Sequence, residues 1–520
     1  MTQKDVGTGG FYLPTIYQKD QNKVATQLEA GEIDYADLTK WNLPDEFISF
    51  AMESGLLKFI DRTYPNPRVK NEIPIWFLIT CQFVMRLHQT GRYNNLRYLL
   101  NAGSILARFG FNVGNPNIGF NDKNKKERKT AIDADSVRKF FKDTKADEIR
   151  SWYREDLQSW FRIQKSFDHH GIFILDQTHL VVPDNPNYKE AVKMPVDEHG
   201  QYYSNLGALT DEQKKALIYH RCYTLSTLLN VGLEHELFHV SGYELGPGNE
   251  DELVQAEKML PDFCRKFPGL IKILILDRGY IDRDFIYKLK HDYQIDVLIP
   301  LRKNMDACTD AIAIAKSQDT WETIEQQNEG QKLVLKKEIA PVQNIRLWSP
   351  LKIHALVTRY TTWNAKLNLY EENYSVLAST KKYNIPRMMV THYELRVKTE
   401  ERFRQLKHSW YITDFPSPHA SLVESHVCFT LFTYSLLQLY LRRNDLRQHT
   451  RKMLSTLHAD EQLGVNTVLV YAKDNYAVFD LDDYTVRVAK MNETPRQRLA
   501  IIMQAQKEER LKRESQLIAS

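Results

Sequence analysis

Cysteine is scarce in this chain of 520 residues: Cys81, Cys222, Cys264, Cys308 and Cys428 are scattered, without a Cys-x-x-Cys pair. Neither a disulfide framework nor a zinc ribbon is supported, and the usage fits a reducing cytoplasm. A dominant charge sign is also lacking. Seventy basic residues stand against 66 acidic ones, and the net charge of +4 is too small for this length to identify a polyanionic partner. No cationic segment followed by an apolar stretch opens the chain, so no secretory leader is expected. The most apolar helix candidate, Val427–Leu441, includes Thr, Ser and Gln and is shorter than the ~20 residues a bilayer needs. It reads as a core helix, and no membrane partner is expected. Internal repeats and extended low-complexity tracts are absent. What remains is the ordinary composition of a globular protein, 42% hydrophobic and 26% charged, in a chain too long for one core.

The most informative segment is Tyr393–Lys407, YELRVKTEERFRQLK. On an α-helix, Tyr393, Arg396, Glu400 and Lys407 fall within an arc of roughly 60°. A phenol, a guanidinium, a carboxylate and an ammonium thus share one stripe. Leu395, Phe403, Leu406 and Trp410 form an apolar stripe about a quarter-turn away, which places the polar one at the rim of a core. A carboxylate able to hold a metal, flanked by phosphate-binding groups, suits nucleic-acid chemistry. The alternative is a solvated face with Arg396–Glu400 and Glu400–Arg404 pairs, each worth ~0.2–0.5 kcal/mol.

Two apolar runs end in acids. Gly171–Asp176 reads GIFILD, and Leu270–Tyr280 reads LIKILILDRGY with Asp277 in it. Such runs read as strands buried on both faces of an α/β sheet. An acid at the carboxyl end of such a strand lies where open α/β sheets place their sites. If the two strands are parallel neighbours, Asp176 and Asp277 come within metal-bridging range and Glu400 can complete the cluster. Each Asp alone also reads as a turn or capping residue.

Five regions follow from the patterning. Residues 1–165 read as helical, with runs at Ile75–His88, Asn94–Phe109, Asp135–Phe140 and Lys145–Arg162, and a possible DNA-binding role. Residues 166–300 alternate strands and helices: strand Arg221–Val231, a break at Gly246-Pro247-Gly248, a helix through about Lys266, strand Leu270–Leu276, helix Arg283–Tyr293 and strand Ile295–Pro300. Residues 301–384 read as a mostly β insertion, with short strands at Leu333–Ile339, Ile345–Trp348, Ile353–Tyr360 and Tyr374–Ala378. Residues 385–445 return to helix. Residues 446–520 form a small α+β region, with a hairpin at Val468–Ala472 and Tyr476–Leu481 and a last basic helix opened by Thr494-Pro495. Basic runs at Lys123–Lys129 and Arg496–Arg513 read either as nucleic-acid contacts or as solvated segments.

With these residues in place the chain resembles the DDE transposases of the bacterial insertion-sequence-4 group. Their mark is Tyr-x2-Arg-x3-Glu-x6-Lys, matched without a gap by Tyr393, Arg396, Glu400 and Lys407. Asp176 in LDQTH and Asp277 in LDRGY match the first two catalytic acids. The resemblance covers roughly residues 165–445. It implies a ribonuclease-H-like mixed α/β sheet interrupted by the β-rich insertion, which the element order also fits. It further implies cut-and-paste transposition of an insertion sequence through a hairpinned end. Asp176, Asp277 and Glu400 would hold two Mg²⁺ or Mn²⁺ ions about 3.5–4 Å apart. Tyr393, Arg396 and Lys407 would clamp phosphates of double-stranded DNA, at the terminal inverted repeats and the target. An aromatic from the insertion, Trp363 before Trp348, would stack on a flipped base. The expected assembly is a homodimer in a synaptic complex, in the bacterial cytoplasm on the nucleoid. His179 and Arg278, near the acids in sequence, are further candidates.

Two other readings stay in view. One is an inactive or domesticated derivative that binds DNA, against which the intact acid set argues. The other is a zinc metalloprotease using His235, Glu236 and His239, which match H-E-x-x-H. That motif needs a helix, whereas the preceding residues read as a strand, on which the two imidazoles would stand ~13 Å apart.

Overall fold

The computed structural model describes residues 11–12, 17–69, 73–100, 105–111, 121–122, 132–203, 206–207, 209–233, 237–329, 332–348, 351–364, 367–449, 452, 454–459 and 465–518. The basic run Lys123–Lys129 and most of the Gly114–Lys129 loop lie outside them.

The two apolar runs become β1 (Ile172–Val182) and, further along, β5 (Ile273–Ile275). Between them come β2 (Val192–Val196), β3 (Ile218–Val231), β4 (Phe238–Pro247) and helix α1 (Glu252–Lys266). Then follow α2 (Arg283–His291), β6 (Asp296–Pro300) and α3 (Asp306–Gln318). Next are β7 (Glu322–Glu329), β8 (Lys332–Trp348), β9 (Leu351–Asn364) and β10 (Leu369–Ser379). Helices α4 (Arg387–His408) and α5 (Ala420–Arg443) complete the core. Among the described residues these ten strands form one mixed sheet, ordered β7-β8-β9-β10-β6-β5-β1-β3-β2, with β4 also paired to β3. Strands β1, β5 and β6 are parallel; the other pairings are antiparallel.

Both faces of the parallel centre are covered, which is why its strands read as unbroken apolar runs. On one face, Met259, Leu260 and Phe263 of α1 and Ile286 and Leu289 of α2 share an apolar cluster with Leu274 and Val297, and α3 lies over β8, β9 and β10. The other face carries α4 and α5. From Ser421 to Leu441 every residue of α5 is buried. It meets the N-terminal helices through Phe83–Phe432 (5.0 Å between ring centroids), Phe141–Phe429 (5.3 Å) and Trp152–Phe432 (5.9 Å). At 24 residues it is longer than its sequence suggested and reaches the length and apolarity of a membrane span, yet it is enclosed by the fold. Its buried Glu424 is met internally: Arg150 pairs with Glu424 (2.7 Å) and Glu244 (2.5 Å), Arg154 also pairs with Glu244, and the Tyr243 hydroxyl donates to Glu424 at 2.6 Å.

Three features differ from expectation. Residues 301–384 include the helix α3, and their strands continue the main sheet, with β10 hydrogen-bonded to β6. The segments Leu333–Ile339 and Ile345–Trp348 are one long strand, β8, with register shifts between Val342 and Trp348. The largely helical N-terminal region also holds strand Tyr35–Trp41, which pairs with Val465–Ala472 of the predicted C-terminal hairpin. Both ends of the chain therefore share a four-stranded sheet.

Candidate active site

In the parallel pair, Ile174 of β1 stands beside Ile275 of β5. Asp176 and Asp277 follow two residues later on each chain, at the carboxyl edge. There the backbones part: β1 runs on to Val182, whereas Asp277 caps a short 3-10 turn, Arg278–Tyr280, its carboxylate accepting from the Arg278 N–H at 2.6 Å. Helix α4, opened by Pro386, lies across β1, β5 and β6. Its predicted apolar stripe is buried at Leu395, Phe403, Leu406 and Trp410, so the polar stripe faces the carboxyl edge.

One guanidinium gathers the three acids. Arg396 Nη2 lies 3.0 Å from Asp277 Oδ2 and 3.6 Å from Asp176 Oδ1, while Nη1 is 3.4 Å from Glu400 Oε1. Exposure rises from 8% at the Asp176 side chain through 31% at Asp277 to 64% at Glu400, so the cluster opens to solvent on the α4 side. Burial pushes the Asp176 carboxyl up to about 6, against the pull of Arg396 and of the Gln177 N–H. Burial works against the Arg396 charge, but Asp176 and Asp277 outweigh it and raise its pKa.

The other predicted groups spread from this centre. Tyr393 sits half-buried one turn before Arg396, and its phenol is raised by burial. Lys407 donates to Thr178 Oγ1 at 2.7 Å, two residues past Asp176 on the same face of β1, and burial lowers its pKa. His179 bonds the Gly248 carbonyl at 3.1 Å and stacks on Tyr202 at 4.0 Å. Arg278 is exposed, and its carbonyl accepts from Arg302. Trp363 is not brought to the acids. It packs on Tyr370 across β9 and β10, with centroids 4.9 Å apart. Because Leu377 of β10 pairs with Pro300, the strand's register carries Tyr370 and Trp363 roughly 23 Å beyond that level, past the edge that holds the acids. The side chain of Trp348, like His235 and Glu236, lies outside the described residues. His239 is on strand β4, its Nε2 2.9 Å from Gln158 Oε1 and its ring against Phe161 and Phe167, not on the helix that H-E-x-x-H requires.

A fourth carboxylate stands here that the sequence reading used only as part of an acidic first helical turn. Glu252 of α1 is half-buried, and burial, then the charges of Asp277 and Asp176, push it up to about 7. The only sequence trace is that first turn following Gly246-Pro247-Gly248.

The family described as Transposase DDE domain matches residues 167–436, just over half of the chain and the span that carries Asp176, Asp277 and Glu400. The chain belongs to the DDE transposase family. No curated protein matches it. As a DDE transposase it is a nuclease-type enzyme of mixed α/β architecture acting on DNA, in a family that generally uses divalent metal ions. Among the described residues the group whose ligand atoms all lie within 4.8 Å of one another is Asp168, His169 and His170, at the opposite, amino end of β1. Its Asp168 and His170 are already joined at 2.8 Å.

Proposed function

We propose that this DDE transposase is of the insertion-sequence-4 type and cuts and rejoins DNA at the ends of its element with divalent ions held by Asp176, Asp277 and Glu400. The observation that carries this reading is the contact of the single Arg396 guanidinium with all three acids. Carboxylates are the oxygen donors that Mg²⁺ and Mn²⁺ prefer, and all three meet at this one side chain. The donor set therefore fits the metal. Bound there as a pair, such ions would activate water or a 3′-hydroxyl and stabilise the leaving oxygen of an in-line displacement.

The remaining roles belong to the chain itself. Asp176, fixed in β1 and desolvated, supplies the rigid side of the site, and Glu400 the exposed side facing substrate. Arg396 would offer its planar fork to a backbone phosphate, and Lys407 a second positive charge beyond Asp176. Tyr393 flanks the phosphates. The ribbon of β9 and β10, projecting past the catalytic edge, carries Trp363 outward to stack on an unpaired base near the cut, as a hairpin route requires. Two copies paired on two ends complete the synaptic complex.

A strand-cleavage assay on duplex carrying the element's terminal repeat, with Mg²⁺ or Mn²⁺, tests the assignment. Asp176→Ala, Asp277→Ala and Glu400→Ala should each abolish nicking while leaving DNA binding in place. Retained cleavage in any of the three would overturn it.

A further inference from the structure

We propose that Asp168, His169 and His170 form a metal site of their own at the amino end of β1, suited to Zn²⁺ or a similar borderline ion. The inference stands apart from the reading of Asp176, Asp277 and Glu400 and does not depend on it. One ligand atom from each of the three side chains lies within 4.8 Å of the other two. On tetrahedral zinc, bonds of ~2.0–2.1 Å set ligand atoms ~3.3 Å apart, so a modest rotation of each side chain closes the set. Two imidazoles and one carboxylate favour Zn²⁺ over Mg²⁺ and Mn²⁺, which take oxygen. Three protein ligands leave a position for water.

The turn that carries these side chains is fixed by groups outside the cluster. Buried Asn230 of β3 accepts from the Asp168 N–H at 2.7 Å and donates to the Ile172 carbonyl at 3.2 Å. Lys272 donates from Nζ to the His169 carbonyl at 3.0 Å. Gly171 has a φ of +67°, and a Cβ there would stand 2.8 Å from the Leu270 carbonyl oxygen, so the chain closes tightly behind His170. With the backbone held, the side chains face outward: Asp168 is 15% exposed, His170 35%, and His169 is exposed. The two imidazoles stand ring to ring, centroids 3.9 Å apart. Among the described residues the Asp168 carboxylate has no Lys or Arg within ion-pair reach; its partner is His170 Nδ1. Arg442, on which the Asp168 charge acts, donates instead to the carbonyls of Lys165 and Ser166. An ion held here would clamp the junction where the N-terminal helical region passes into the sheet. The strand from Ile172 to Asp176 spans ~13 Å, too far for the ion to share ligands with the acids.

The experiment is a calorimetric Zn²⁺ titration of the full chain in excess Mg²⁺, with thermal unfolding to read the clamp. Zn²⁺ should bind and raise the Tm, and Co²⁺ in its place should show the visible bands of a nitrogen–oxygen site of low coordination number. His169→Ala and Asp168→Asn should each weaken Zn²⁺ binding by at least about 10- to 100-fold, the loss that removing a group merely supporting a ligand already brings. Each should also abolish the Zn²⁺-dependent rise in Tm. His169 is exposed, so its substitution leaves the fold intact. His199→Ala, at an exposed histidine elsewhere, and Asp176→Asn should both leave Zn²⁺ binding unchanged. Zn²⁺ binding that is absent, or that survives His169→Ala and Asp168→Asn, refutes the site. Binding lost in Asp176→Asn instead places the ion among the three acids, which refutes this site and leaves the reading of the acids standing.

Discussion

Two charge clusters in this protein are built on opposite principles. Between α5, β4 and the N-terminal helix, Glu244 and Glu424 meet Arg150 and Arg154, with Tyr243 satisfying a further carboxylate oxygen. Charges there are matched, and every carboxylate oxygen has a donor. At the carboxyl edge of β1 and β5, Asp176, Asp277 and Glu400 among the described residues share the side chain of Arg396, and the negative charges of Asp277 and Asp176 act on Glu252. The first cluster resembles an interior ion network that holds helices to a sheet. The second carries an electrostatic deficit that the fold alone does not settle. Each holds at least one buried carboxylate, and what separates them is charge balance.

That contrast can be broken from either side. Arg150→Ala should have the largest effect on stability, about 3–5 kcal/mol in urea unfolding, because it leaves two buried carboxylates short of a partner. Asp176→Asn should do the reverse above pH 6, raising metal-free stability on the order of 1 kcal/mol, because it removes a carboxylate whose ionised form its surroundings disfavour. A loss comparable to that of Arg150→Ala would erase the distinction.

The pH dependence sharpens the same point. Folded Asp176 titrates at about 6, above the ~3.9 of an unfolded Asp. Between these values the folded chain holds a proton that the unfolded chain has released, so this group makes stability fall as pH rises from about 4 to about 6. Glu252, raised to about 7, acts with the same sign to a slightly higher pH. Unfolding curves without metal should show that decline, and Asp176→Asn should remove its lower part. The smallest effect is expected in DNA binding: Arg396→Ala should flatten the salt dependence of end binding by about one phosphate contact. An unchanged slope would leave Arg396 with the acids alone.

What could be read from residues was whatever is local. The stripe Tyr393, Arg396, Glu400, Lys407 and its apolar partner were legible because helical spacing fixes both faces of α4 at once. Strands β1 and β5 were legible because burial on both faces leaves an unbroken apolar run. Helix α3 was missed because DACTDAIAIAKSQ alternates Ala and Ile like a strand, and Ala decides for helix only once Ala307, Ala311 and Ala315 are buried. Strand β7 escaped because ETIEQQNE is an exposed edge, polar on both faces. Glu252 could not be singled out: its position depends on Gly279, which packs against it only in three dimensions.

The sheet joining Tyr35–Trp41 to Val465–Ala472 sets an order of events during synthesis. A ribosome adding roughly 5–20 residues per second leaves the earlier strand waiting on the order of half a minute or more for its partner. By then β1, β5 and α4, around which Asp176, Asp277 and Glu400 lie, have all been synthesised. A chain truncated before the last hairpin would keep its acids while exposing an unclaimed strand edge, and would be the form most prone to clump with its own kind.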